Sequence, residues 1–146
     1  MTRNPNEVAV FIFRRERYLL LRRMDPRYWH VVAGVVEPGE SFPTAAAREL
    51  AEATSLTGSL NDLGVPARYA IDAADRSQYA PDVTDVLVHV FAIEAADLWE
   101  PVLNDEHDIF RWSSFHDCMA LLHWPEAKEA LRVLDARRKE PASGGA

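Results

Sequence analysis

The segment RELAEATSL, residues 48–56, carries the residues best spaced for chemistry. Glu49 and Glu52 are three apart. On a helix turning about 100° per residue they project about 60° from one another, on one face. Arg48 precedes Glu52 by four residues and can pair with it. Glu40 stands at the expected helix entrance, where the helix dipole favours a carboxylate. Two carboxylates on one face, behind a loop bounded by Gly34 and Gly39, suit Mg²⁺. That ion takes oxygen ligands, keeps several waters and is commonly held by one or two carboxylates plus substrate phosphates. It would lower the pKa of a bound water and neutralise a pyrophosphate as its bond breaks. The same spacing also describes an ordinary solvated helix, and Ala53 contributes no ligand.

The elements that must position these residues follow from periodicity. VAVFIF (8–13) and YLLLRR (18–23) are β-rich runs joined by a charged turn and read as a hairpin. WHVVAGVV (29–36) reads as one further strand. EPGES (37–41) is a turn; Ser41 can cap a helix and Pro43 is tolerated in its first turn. TAAARELAEA (44–53) is helical by propensity. Residues 60–71 are ambiguous, with Gly64 and Pro66 interrupting a partly strand-like pattern. Residues 76–85 read as a loop, VLVHVFAI (86–93) as a buried strand, 98–108 as an acidic loop and IFRW (109–112) as a short strand. Residues 125–140 form an amphipathic helix, with Ala127, Ala130, Leu131 and Leu134 along one stripe. This order predicts an α/β domain over 1–140, a mixed sheet between helices, followed by a frayed tail at 141–146.

Composition narrows the function classes. The chain has 146 residues, 48% hydrophobic and 27% charged, enough for one domain with its own core. The single cysteine, Cys118, allows no intrachain disulfide, and with no signal-peptide pattern or spanning apolar run the expectation is a cytoplasmic protein that does not engage a membrane. The net charge of −7 argues against a nucleic-acid binder. Residues 1–30 nevertheless hold seven arginines against three acids, a locally basic edge suited to a small polyphosphate.

From Gly34 onward the chain reads G, five residues, Glu40, seven residues, then Arg48-Glu49-Leu50-Ala51-Glu52-Ala53-Thr54-Ser55-Leu56. This resembles the Nudix box, G-x5-E-x7-R-E-U-x-E-E-x-G-U with U apolar, of the Nudix hydrolases. Gly34, Glu40, Arg48, Glu49, Leu50, Glu52 and Leu56 match. Ala53 replaces the second Glu of the E-E pair, and Ser55 replaces the Gly. The resemblance implies an α/β/α sandwich and metal-dependent hydrolysis of a polyphosphate, with Mg²⁺ or Mn²⁺ as cofactor. It implies that Glu49 and Glu52 bind metal, that Glu49 also serves as general base, that Arg48 orients them and that Glu40 braces the loop. It further implies ligands from the Ala33 backbone carbonyl and from an acid outside the box, for which NDEHD offers Asp105, Glu106 and Asp108; Glu106 is the choice. The alternative is a nucleotide-binding protein with a degenerate box and little or no hydrolysis.

LLLRRMDPRYWHVVAGVVEPGES, QYAPDVTD and EHDIFRW are similar to the corresponding parts of the dihydroneopterin triphosphate pyrophosphohydrolase branch of that family, whose members also accept nucleoside triphosphates. In these stretches Trp29 and Tyr79 can stack on a flat heterocycle, and Arg22 and Arg23 can reach phosphate oxygens. Trp112 and Trp124 read as core or interface residues, His107 as exposed, and Cys118 as a packed thiol. The expected partner is a small-molecule polyphosphate, the protein being a monomer or homodimer.

Overall fold

A computed structural model describes residues 2–140; the expected tail at 141–146 lies outside them. Seven strands, β1 (Asn6–Arg14), β2 (Arg17–Arg23), β3 (Tyr28–His30), β4 (Val32–Val35), β5 (Asn61–Ala70), β6 (Asp85–Glu94) and β7 (His107–Ser113), join three α-helices, α1 (Phe42–Thr54), α2 (Phe115–Leu121) and α3 (Pro125–Lys139). The sheet runs β3-β2-β1-β6-β5; β4 adds to β1 and β7 to β2. The central β1–β6 pair is parallel, and the remaining pairs are antiparallel.

Both faces of the sheet are covered, so β1 is buried over five consecutive residues instead of alternating with solvent. Val8, Val10 and Ile12 meet Ala45, Ala46 and Leu50 of α1. Ala9 and Phe11 point the other way, into the cluster containing Leu131 and Leu134 of α3. Burying Leu50, 1% exposed, contributes about 2 kcal/mol.

The run 29–36 divides into β3 and β4 rather than forming one strand. The β1–β2 hairpin keeps its pairing only next to its turn, at Phe13–Tyr18 and Arg14–Arg17, and then splays. β3 pairs with β2 on one arm while β4 pairs with β1 on the other, so Val31 is where the chain crosses the fork. The ambiguous stretch resolves as β5, whose register against β6 shifts between Asp62 and Pro66, around Gly64 at φ 65°. Sequence periodicity did not reveal α2, which Ser114 caps by accepting from the Asp117 N–H, nor the short 3₁₀ turn Ala73–Gln78. Cys118 is fully buried, as expected of a packed thiol. His107 is buried rather than exposed, because β7 begins at this residue and pairs it with Arg23. No helix among the described residues is long and apolar enough to cross a membrane.

Candidate active site

α1 starts where sequence places it. The Ser41 side chain accepts from the Thr44 N–H, and Pro43 occupies the first turn, where a missing N–H costs nothing. The helix stops at Ser55, which sits at φ 67° in the left-handed region and donates its N–H to the Ala51 carbonyl. Glycine adopts that conformation without penalty; serine holds it at a cost of about 1 kcal/mol.

Arg48 ties the site together. Its Nε and Nη2 donate to the two Glu40 oxygens at 2.7 and 3.0 Å, and Nη2 also donates to the Val35 carbonyl at 3.0 Å. Its Nη1 donates to Glu49 Oε1 at 2.8 Å and to Glu52 Oε2 at 3.4 Å. Glu40 in turn accepts from the Glu37 N–H, closing the loop against the helix. Arg48 therefore holds Glu40 below the usual carboxylate range.

Gly34 is required by packing. A Cβ at this position would collide with the carboxyl group of Glu49, which lies directly over β4. Val36 N–H donates to Asn6 O, so ladder alternation turns the Ala33 and Val35 carbonyls away from β1. The Val35 carbonyl meets Arg48, and the Ala33 carbonyl is not consumed by the β1 ladder.

Burial raises the Glu49 pKa; Arg48 opposes the shift, and the Glu52 and Glu106 carboxylates add to it. Three acids thus share one electrostatic neighbourhood, although among the described residues no three potential ligands are gathered into a ready metal cluster. Glu52 is half exposed, and Glu106 leans on Arg23 at 3.4 Å. The Ala53 methyl faces the apolar cluster between α1 and the sheet and is 5% exposed.

Beyond Gly34, on the α3 face of the sheet, a cleft of about 570 Å³ opens. Arg23 and Tyr79 line it, Tyr79 nearly buried. Arg22 does not line it: it forms a two-pronged ion pair with Asp108 across β2 and β7, at 3.0 and 2.6 Å. Trp29 does not line it either, and packs against the α3-side core. Tyr28 and Trp124 also stand in the wall; Trp124 packs against the core cluster, as expected, and lines the cleft as well. Sequence carried no signal for them, since Trp124 enters the wall only through the docking of α3 beside β5.

A glycine lies under a carboxylate, an arginine gathers acids from a loop and one helix, and a cleft opens on the far side of the same glycine. The model of the NUDIX domain matches residues 3–134. The chain belongs to the Nudix hydrolase family. It is 31% identical over 138 residues to the dihydroneopterin triphosphate diphosphatase of Haemophilus influenzae, covering 89% of this chain and 87% of that one. The Escherichia coli K12 protein of the same name is 31% identical over 118 residues, 75% of this chain and 78% of that one. The solved structure of the E. coli dihydroneopterin triphosphate pyrophosphohydrolase superposes with a TM-score of 0.80 at 28% identity, over 92% of this chain and 99% of that one. Against the Nudix pattern, the departure at Ser55 strains a helix cap, whereas that at Ala53 removes a carboxylate and fills its place with core contact.

Proposed function

We propose that this Nudix protein is a divalent-metal-dependent pyrophosphohydrolase acting on a pterin or nucleoside polyphosphate, with Mg²⁺ or Mn²⁺ as its cofactor. The observation that carries the reading is Glu49: a desolvated carboxylate seated on Gly34 and held by Arg48, with the cleft opening beyond the same glycine. The donor set fits a hard cation, because it consists of oxygens: Glu49, Glu52, Glu106 and the Ala33 carbonyl. Burial raises the Glu49 pKa, and the neighbouring Glu52 and Glu106 carboxylates add to the rise. When bound, the ion would screen phosphate charge and acidify a water.

Glu49 is the group suited to take the proton from the attacking water. Burial makes it more basic than a free carboxylate, and Arg48 fixes Oε1 so that Oε2 can accept the proton. The water oxygen adds to phosphorus, the bridging P–O bond breaks, and pyrophosphate leaves with a monophosphate remaining. Arg23 supplies positive charge to the phosphates from the cleft wall. The cleft volume falls within the roughly 300–1,000 Å³ usual for small-molecule sites. The similarity to dihydroneopterin triphosphate diphosphatases supports a pterin triphosphate as the substrate.

The Ala53 methyl in the core favours a second reading, in which the ligand binds but turnover is slow. The two separate in a hydrolysis panel of dihydroneopterin triphosphate and the nucleoside triphosphates, each with Mg²⁺ and Mn²⁺, on wild type and Glu52→Gln. Metal-dependent release of pyrophosphate that falls at least ~100-fold in Glu52→Gln supports the enzyme. Release unaffected by this variant, or absent from wild type with both metals, defeats it.

A further inference from the structure

The cleft reaches from the Gly34 edge to the first turn of α3, and there its wall is acidic. Glu7 projects from β1 on the same face as Ala9 and Phe11 and is 13% exposed. Both of its hydrogen bonds, from Tyr69 Oη at 2.9 Å and from Arg3 Nη2 at 3.4 Å, land on Oε2, which leaves Oε1 for a ligand. Glu126, half-buried in the first turn of α3, lines the same space. Glu7 lines this cleft as well, so both carboxylates border one space; burial raises the Glu126 pKa and the Glu7 charge adds to the rise. Around them stand the flat rings of Tyr28, Tyr79 and Trp124.

His30 on β3 also lines the cleft, and its Nδ1 is sealed from solvent with no hydrogen-bond partner among the described residues. Burial pushes its pKa down to about 4, so the ring is neutral. A buried polar atom without a partner is costly, and burial keeps this one on the protein side of the β3 wall.

We infer that Glu7 and Glu126 are the specificity-determining pair of this cleft: they accept from adjacent N–H groups on one edge of a flat heterocycle, selecting rings with a ring N–H beside an exocyclic amine. An ionised carboxylate only accepts hydrogen bonds, so the wall rewards a donor–donor edge. The 2-amino-4-oxo edge shared by pterins and guanine presents that pattern. Hypoxanthine lacks the amine and leaves one carboxylate without a donor, and a site built to hydrogen-bond a group discriminates strongly against analogues lacking it. The aromatic walls stack on any such ring and do not distinguish among them. The inference deepens the reading above, since it names the ring class that the phosphate-cleaving site serves.

The test separates ring recognition from catalysis. Binding of GMP, IMP and neopterin is measured by calorimetry in EDTA on wild type, Glu126→Gln and Glu7→Gln, with circular dichroism and melting curves to confirm folding. Wild type is expected to bind GMP or neopterin at least ~10-fold tighter than IMP, the size of one charge-assisted hydrogen bond. Folded Glu126→Gln and Glu7→Gln are expected to lower that preference to about 3-fold or less. A pterin site shows the preference with neopterin, a guanine site with GMP. Equal affinity for GMP, IMP and neopterin, no binding of any of them, or full preference retained in both variants overturns the inference. Binding preference in a protein that hydrolyses nothing would leave the pair standing while defeating the enzymatic reading.

Discussion

Replacing Gly34 with alanine tests the central geometry. The new Cβ would stand 2.6 Å from Glu49 Oε2 and closer still to Cδ and Oε1. Ordinary contact needs about 3.5 Å, so the carboxylate must retreat by more than about 1 Å. That displacement of a reacting group corresponds to about 100-fold in kcat. Gly34 is not in the left-handed region, so the backbone accepts alanine, and the stability cost is that of overpacking, about 1–3 kcal/mol. The assay pairs steady-state kinetics with Mg²⁺ and urea unfolding of Gly34→Ala, Glu49→Asp and the double variant. Shortening the side chain by one methylene makes room for the Cβ, so Glu49→Asp should recover at least half of the stability lost in Gly34→Ala, a coupling that a double-mutant cycle reads directly. Wild-type kcat in Gly34→Ala, or strictly additive stability changes, would refute the placement of Glu49 on Gly34.

Three other outcomes are expected. Ala53→Glu should lower the melting temperature in EDTA, because a carboxylate enters an apolar contact, and Mg²⁺ or Mn²⁺ should restore much of the loss while raising activity at low metal; thermal shift with and without metal checks both. Ser55→Gly should stabilise by about 1 kcal/mol in urea titration by relieving the left-handed serine at the end of α1. Glu40 is held below its ordinary pKa by Arg48, so the unfolded chain binds its proton more readily than the native one: the pair's stabilisation is present above the usual carboxylate pKa of about 4.3 and is lost as pH falls through the lower folded value. Glu40→Gln should therefore flatten that part of the acid limb in melting curves recorded from pH 6 downward.

What the sequence alone determined is the local part of the site. Gly34, Glu40, Arg48, Glu49 and Glu52 lie within one strand–loop–helix unit, where spacing along the chain dictates spacing in space: a helix period puts the acids together, and Ser41 and Pro43 mark where that helix begins. The β1–β2 hairpin, β6 and α3 were legible for the same reason, since continuous apolar runs and a 3.6-residue stripe report burial directly. The tertiary structure decided what depends on residues far apart in the chain. The fork that splits 29–36 into β3 and β4 exists because β1 and β2 each take a different partner, which no local pattern records. Arg22 is drawn to Asp108 because β7 pairs with β2, while Arg23, beside the irregularity in that ladder, reaches the cleft. Trp29 and Trp124 both pack against the α3-side core, but the docking of α3 against β5 also brings Trp124 into the cleft wall. Whether Ala53 was a missing ligand or a core contact likewise depended on the sheet beneath α1. Helical phase sets the direction of a side chain, and only the packed neighbour determines what it meets.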